Sequence, residues 1–169
     1  MNTLLAANLA CLGQGVHFLE NLDPALYGRS CPELFNSSIG GHFRHNMDHY
    51  LAFMDGFAAG SVDYDARERS QQVEEDPAFA AAALKKIISC LEGLSGEDLE
   101  RSMMVRMDDG GDSIWSSTTL LRELQFLLSH TIHHYALVVS IATRFGQNEF
   151  PEGFGLAPST LHYHSRKVD

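Results

Sequence analysis

The chain has 169 residues and is 44% hydrophobic, enough to bury the core of a single domain without disulfides, so one domain spanning 1–169 is expected. A formal charge of -10 repels phosphates and anionic lipid headgroups, which argues against nucleic acid or a membrane surface as partner. Residues 1–10 carry no Lys or Arg ahead of their apolar run, no later apolar run is long enough to span a bilayer, and Cys11, Cys31 and Cys90 are unpaired by spacing. A cytoplasmic chain with each cysteine a small buried hydrophobe is the expectation.

Residues 3–22 predict a first helix, with Leu5, Leu9, Leu12, Val16 and Leu19 recurring at intervals of three and four and Asp23-Pro24 closing it. A loop rich in Pro and Gly leads to Ser37-Ser38 as candidate N-caps. The second helix is predicted from Ile39 to Ala59 on the stripe Ile39, Phe43, Met47, Tyr50, Met54 and Phe57, with Gly60 as its stop. Residues 63–75 are charged and read as an exposed connection containing some helix. Asp76-Pro77 starts a third helix that runs through Leu84, Ile87, Ile88 and Leu91 to Gly93. Between Ser102 and Trp115, β-compatible runs flank Asp108-Asp109-Gly110-Gly111, the pattern of a small hairpin. Residues 116–119 offer caps for the longest helix, which is predicted to reach Phe145. Four helices of this length predict an all-α fold, a four-helix bundle with a small β-hairpin before the last helix.

His130 and His134, four residues apart on the last helix, lie about 40° apart around its axis and can chelate one ion. Their face is expected to continue Leu120, Leu127, Leu137 and Ile141 and so to point into the bundle. Thr131 stands where the glutamate of H-E-x-x-H would be, which excludes that metalloprotease motif. A transition ion needs a third ligand, and His42, His45 and His49 offer one from the second helix. Helical position slightly favours His42 and His49.

Ser38-Ile39-Gly40-Gly41-His42-Phe43-Arg44-His45-Asn46-Met47-Asp48, together with Arg122-Glu123-Leu124 and Ser129-His130-Thr131-Ile132-His133-His134-Tyr135, resembles the two signatures of the DinB/YfiT-like proteins. The resemblance implies a four-helix bundle with one metal ligand on the second helix, three positions before an Asp, and an H-x-x-x-H pair on the last. It thereby selects His45 and maps the pair onto His130 and His134. Better-studied members continue with Arg-Gly-Gln after the last ligand, whereas Tyr135-Ala136-Leu137 follows here, so their substrate contacts do not transfer.

Three neutral imidazoles leave a divalent ion its charge and an open position, as in catalytic sites. Zinc, nickel, iron and copper all suit such ligands. The ion can lower the pKa of water for hydrolysis or hold a thiol as thiolate. The resemblance favours the second, because several branches are metal-dependent transferases that use low-molecular-weight thiols on small molecules. The family's name reflects induction by DNA damage and implies no DNA binding. Glu123 is a candidate for orienting a ligand or acting as base, Asp48 and His49 for supporting the ligands, and Arg67 and Arg69 for attracting substrate carboxylates. His17, His133, His162 and His164, with Trp115, Met103 and Met104, are expected to be structural. A homodimer is expected. The alternatives are a non-catalytic metal- or ligand-binding bundle and an interaction protein without metal.

Overall fold

A computed structural model of the chain describes residues 3–34, 36–66, 68–99, 101–107, 110 and 114–165, with the backbone alone at 96, 97, 162, 164 and 165. The elements in chain order are α1 (Thr3–Asn21), α2 (Pro24–Tyr27), α3 (Ile39–Ala59), β1 (Ser61–Asp63), α4 (Gln71–Glu75), α5 (Pro77–Glu92), α6 (Gly96–Leu99), β2 (Ser102–Arg106), β3 (Ser116–Thr119), α7 (Leu120–Arg144) and α8 (Pro158–Ser165). The four long helices form a bundle in which α1 and α3 each pack against both α5 and α7. Among the described residues, no helix is long and apolar enough to cross a membrane.

Local chemistry starts and stops these helices. Ser38 accepts from the Gly41 N–H at the head of α3, Asp76 from Ala78 and Phe79 at the head of α5, and Thr119 from Arg122 at the head of α7. Gly60 ends α3 in the left-handed region at φ 76°, where a side chain would strain the backbone. The buried side of α3 differs from the expected stripe beyond Tyr50: Phe53 and Gly56 are buried, while Met54 and Phe57 are half-buried. Gly56 lets the chain fold back closely, since a Cβ there would meet the Ser61 carbonyl oxygen at 2.4 Å.

The expected hairpin is one edge of a three-stranded sheet in the order β1-β2-β3. β2 and β3 pair antiparallel from Ser102↔Thr119 to Val105↔Ser116. The turn residues Asp108, Asp109 and Gly111 lie outside the described residues. The second strand is thus residues 116–119, read above as caps; only Thr119 caps. The two roles are compatible because an N-cap takes extended dihedrals, here φ -129° and ψ 157°, so a strand can run directly into its helix. β1, which the sequence placed in or before an exposed connection, pairs parallel to β2 and aligns Asp63 with Arg106, whose guanidinium is ion-paired to its carboxylate. That guanidinium holds the Asp63 carboxyl below its ordinary range.

Cys11 and Cys31 are buried as expected, but Cys90 is exposed, because its position falls off the Leu84–Ile87–Leu91 stripe of α5. Burial pushes the Cys11 thiol up to about 12. One thiol, Cys90, is expected to react rapidly with a maleimide in the native protein and the other two only on unfolding; mass mapping of the labelled peptides checks this. A second expectation concerns Gly40, where a Cβ would meet the Glu74 carbonyl oxygen at 1.9 Å. Gly40→Ala must displace α4 from α3 and should cost about 1–3 kcal/mol, read as a fall of several degrees in Tm.

Candidate metal centre

The site forms where α3 packs on α7. The two helices run antiparallel, as successive ring contacts show: His42 faces His134, His45 faces His130 and His49 faces Phe126. His130 and His134 do not point into the bundle centre. Thr131, Tyr135 and Val138 hold that position and are buried, whereas the two histidines, about 100° round the helix from Thr131 and Tyr135, are half-buried along the seam with α3.

His45, His130 and His134 are brought together, with ring centroids 4.6 Å (45 to 134), 5.0 Å (45 to 130) and 4.5 Å (130 to 134) apart. His42 and His49 join the same cluster: His42 Nδ1 lies 2.8 Å from His134 Nδ1, and the His49 ring is 4.2 Å from that of His130. One nitrogen each from His45, His49 and His130 can be chosen so that all three lie within 4.8 Å of one another. His133 is exposed, with its ring edge-on to His134 at 5.1 Å. The side chains of His162 and His164 lie outside the description.

The donor set fits a transition ion. Two imidazole nitrogens bound tetrahedrally at about 2.0–2.1 Å stand roughly 3.3 Å apart, and His45 Nε2 lies 3.2 Å from His130 Nε2. The rings must be neutral to donate a lone pair. Burial, reinforced by the neighbouring His130, His45, His42 and His133, lowers His134 to about 2, and burial with His133 lowers His42.

A cavity of about 420 Å³ opens on the cluster, lined by His42, His45 and His134 and by Ser38, Arg44 and Glu74. Arg44 is paired with Glu74 at 3.0 Å. This is the guanidinium at the cavity, where sequence reasoning named Arg67 and Arg69: Arg69 is exposed and Arg67 lies outside the described residues. The position of Arg44 next to His45 was the available signal.

Glu123 is 2% exposed and accepts from the Tyr64 hydroxyl at 2.8 Å and the Thr118 hydroxyl at 2.6 Å. Tyr64 in turn stacks on His49 at 5.3 Å and packs against Phe126, which leans on His130. Glu123 therefore reaches the cluster through Tyr64. Burial, and then the Glu123 charge, push the Tyr64 phenol well above its usual range. Sequence reasoning missed Tyr64, which sits in a charged stretch with no periodic signal. Asp48, on α3, is buried; Trp115 is 40% exposed with the Arg106 guanidinium over its ring, and Met103 is buried while Met104 is exposed.

A four-helix bundle with imidazoles converging from two helices beside a polar cavity offers a donor group that could hold a metal ion. A family model for the DinB superfamily matches residues 15–138, and the chain belongs to that superfamily. A DinB-like protein, YjoA, from Bacillus subtilis has the same fold at a TM-score of 0.66 with 19% identity, covering 90% of this chain and 99% of that one. YfiT from Bacillus subtilis, described as a probable metal-dependent hydrolase with an unusual four-helix bundle topology, aligns at 0.62 with 14% identity, over 88% and 91% of the two chains. FK506-binding protein 5 of Rhizopus delemar is 33% identical over 105 residues, 60% of this chain, which spans only 27% of that protein.

Removing the Glu123 carboxylate leaves the buried Tyr64 hydroxyl and the half-buried Thr118 hydroxyl without their acceptor. Glu123→Ala should cost about 1–3 kcal/mol per stranded donor at the upper limit, and Glu123→Gln, which keeps an acceptor, distinctly less; urea unfolding of the two variants checks the order.

Proposed function

We propose that this chain is a metal-dependent enzyme acting on a small molecule, with a divalent transition ion, zinc, nickel or iron, held by His45, His130 and His134. The observation that carries the reading is that His45 and His134 belong both to the imidazole cluster and to the cavity wall, so that a substrate in the cavity reaches whatever they hold. When bound, the ion supplies Lewis acidity toward a coordinated water or thiol at neutral pH. The chain's own residues do the rest. His42, at 2.8 Å, orients the His134 ring through Nδ1 and leaves Nε2 for ligation. Arg44 and Glu74, which also line the cavity, offer a cation and an anion to a zwitterionic substrate.

Transfer of a low-molecular-weight thiol is the first reading, on the strength of the DinB-like signatures around His45 and His130. Hydrolysis is the second, favoured by the description of YfiT. A non-catalytic ligand-binding bundle is the alternative. A homodimer belongs to the same proposal, and sedimentation velocity checks it.

The test is elemental analysis of untagged wild type beside His130→Ala, purified without added metal. About one equivalent in the wild type and under about a tenth in the variant are expected. Chelation should abolish, and readdition restore, turnover on a panel of thiols with electrophiles or of small esters and amides. A reconstituted wild type without metal would overturn the reading; a metal-loaded protein inert on both panels would leave the ligand-binding alternative.

A further inference from the structure

The imidazole cluster is larger than three ligands require, and it continues inward. His45 and His130 have a third ring on either side along the seam. On the cavity side it is His134. Deeper, beside Tyr64, it is His49, whose ring lies 4.5 Å from that of His45 and 4.2 Å from that of His130. These are the three residues whose ligand atoms lie mutually within 4.8 Å.

His49 is also prepared for ligation. Its Nδ1 lies 2.8 Å from the His45 carbonyl oxygen. A carbonyl only accepts, so Nδ1 carries the proton and Nε2 of the neutral ring carries the lone pair. An N–H given to a carbonyl from one ring nitrogen is the arrangement that fixes the other as a metal ligand. The ring is 4% exposed and held in place by Tyr64, stacked on it at an interplanar angle of 24° and tied by its hydroxyl to buried Glu123.

We propose that His49 is a metal ligand and that the ion has two overlapping seats sharing His45 and His130. The outer seat is completed by His134 and faces the cavity; the inner is completed by His49 and backs onto the Tyr64 and Phe126 rings. The proposal rests on the metal-binding reading above and adds a ligand to it. Its consequence is that His45, His130 and His49 would still offer an ion three imidazoles in the absence of His134.

The test is Co2+ titration of metal-free wild type, His49→Phe, His134→Ala and the double variant, followed by visible d–d absorption and by equilibrium dialysis. His49→Phe keeps a ring against Tyr64, and His49→Gln serves if the phenylalanine perturbs the fold, with far-UV circular dichroism as the control. Each single variant should still bind about one equivalent with an altered spectrum; because the wild-type association constant is the sum over the two seats, at most one of the two can lose more than about half of it, whereas the double variant should bind at least about a thousandfold more weakly than wild type. His49→Phe with unchanged Kd and spectrum would overturn the proposal, as would His134→Ala as defective as the double variant. In either case a wild type that binds Co2+ leaves the metal-binding reading standing, whereas a wild type that binds none overturns both.

Discussion

The register between α1, α3 and α7 depends on one buried carboxamide. Asn8 is fully buried; its Nδ2 donates to the Leu124 carbonyl of α7 at 3.1 Å, and its Oδ1 accepts from the Tyr50 hydroxyl of α3 at 2.8 Å. Thr131 lies 3.4 Å from that hydroxyl and donates to the Leu127 carbonyl. Sliding α3 along α7 would strand these groups in an apolar core, at a cost of about 1–3 kcal/mol for each one left unsatisfied. Hydrophobic packing alone tolerates more than one register; directional hydrogen bonds do not. With Tyr50 and Thr131 set opposite each other, His49 and His45, within a turn and a half of Tyr50, must meet His130 and His134, which flank Thr131.

Five imidazoles in one seam would repel one another if protonated. Their coexistence is consistent with neutral rings, and burial drives His42 and His134 in that direction. Neutral imidazoles are also the form that ligates metal, so the burial that makes the cluster costly for protons leaves its lone pairs free to converge on a metal ion. The half-buried position of His130 and His134 completes this compromise. At the bundle centre they would be sealed off; on the outer face they would be hydrated and mobile.

The small sheet serves the same site. β1 follows α3 directly after Gly60 and delivers Tyr64 against His49, while β3 runs into α7 and delivers Thr118 to Glu123. A buried carboxylate, two hydroxyls and an aromatic ring thus link the strand layer to the imidazoles. Their role is support: Glu123 holds Tyr64, and Tyr64 holds the ring of His49.

The helices α1, α3, α5 and α7 were legible in the sequence almost to the residue, because caps such as Ser38, Asp76 and Thr119 and the spacing of apolar side chains act over a few positions of the same chain. The candidates His42, His45, His49, His130 and His134 were legible for the same reason, as spacings on two helices. Periodicity did not reveal which way each helix is rotated against its neighbour, and so could not place Thr131 and Tyr135 at the centre with His130 and His134 on the seam, or bury Phe53 in preference to Met54. Tyr64, Thr118 and Arg44 acquire their roles from elements far away in the chain. Helix formation is decided by local backbone and side-chain energetics, whereas the composition of the site is decided by the rotation and register at which separate helices pack, which only tertiary structure supplies.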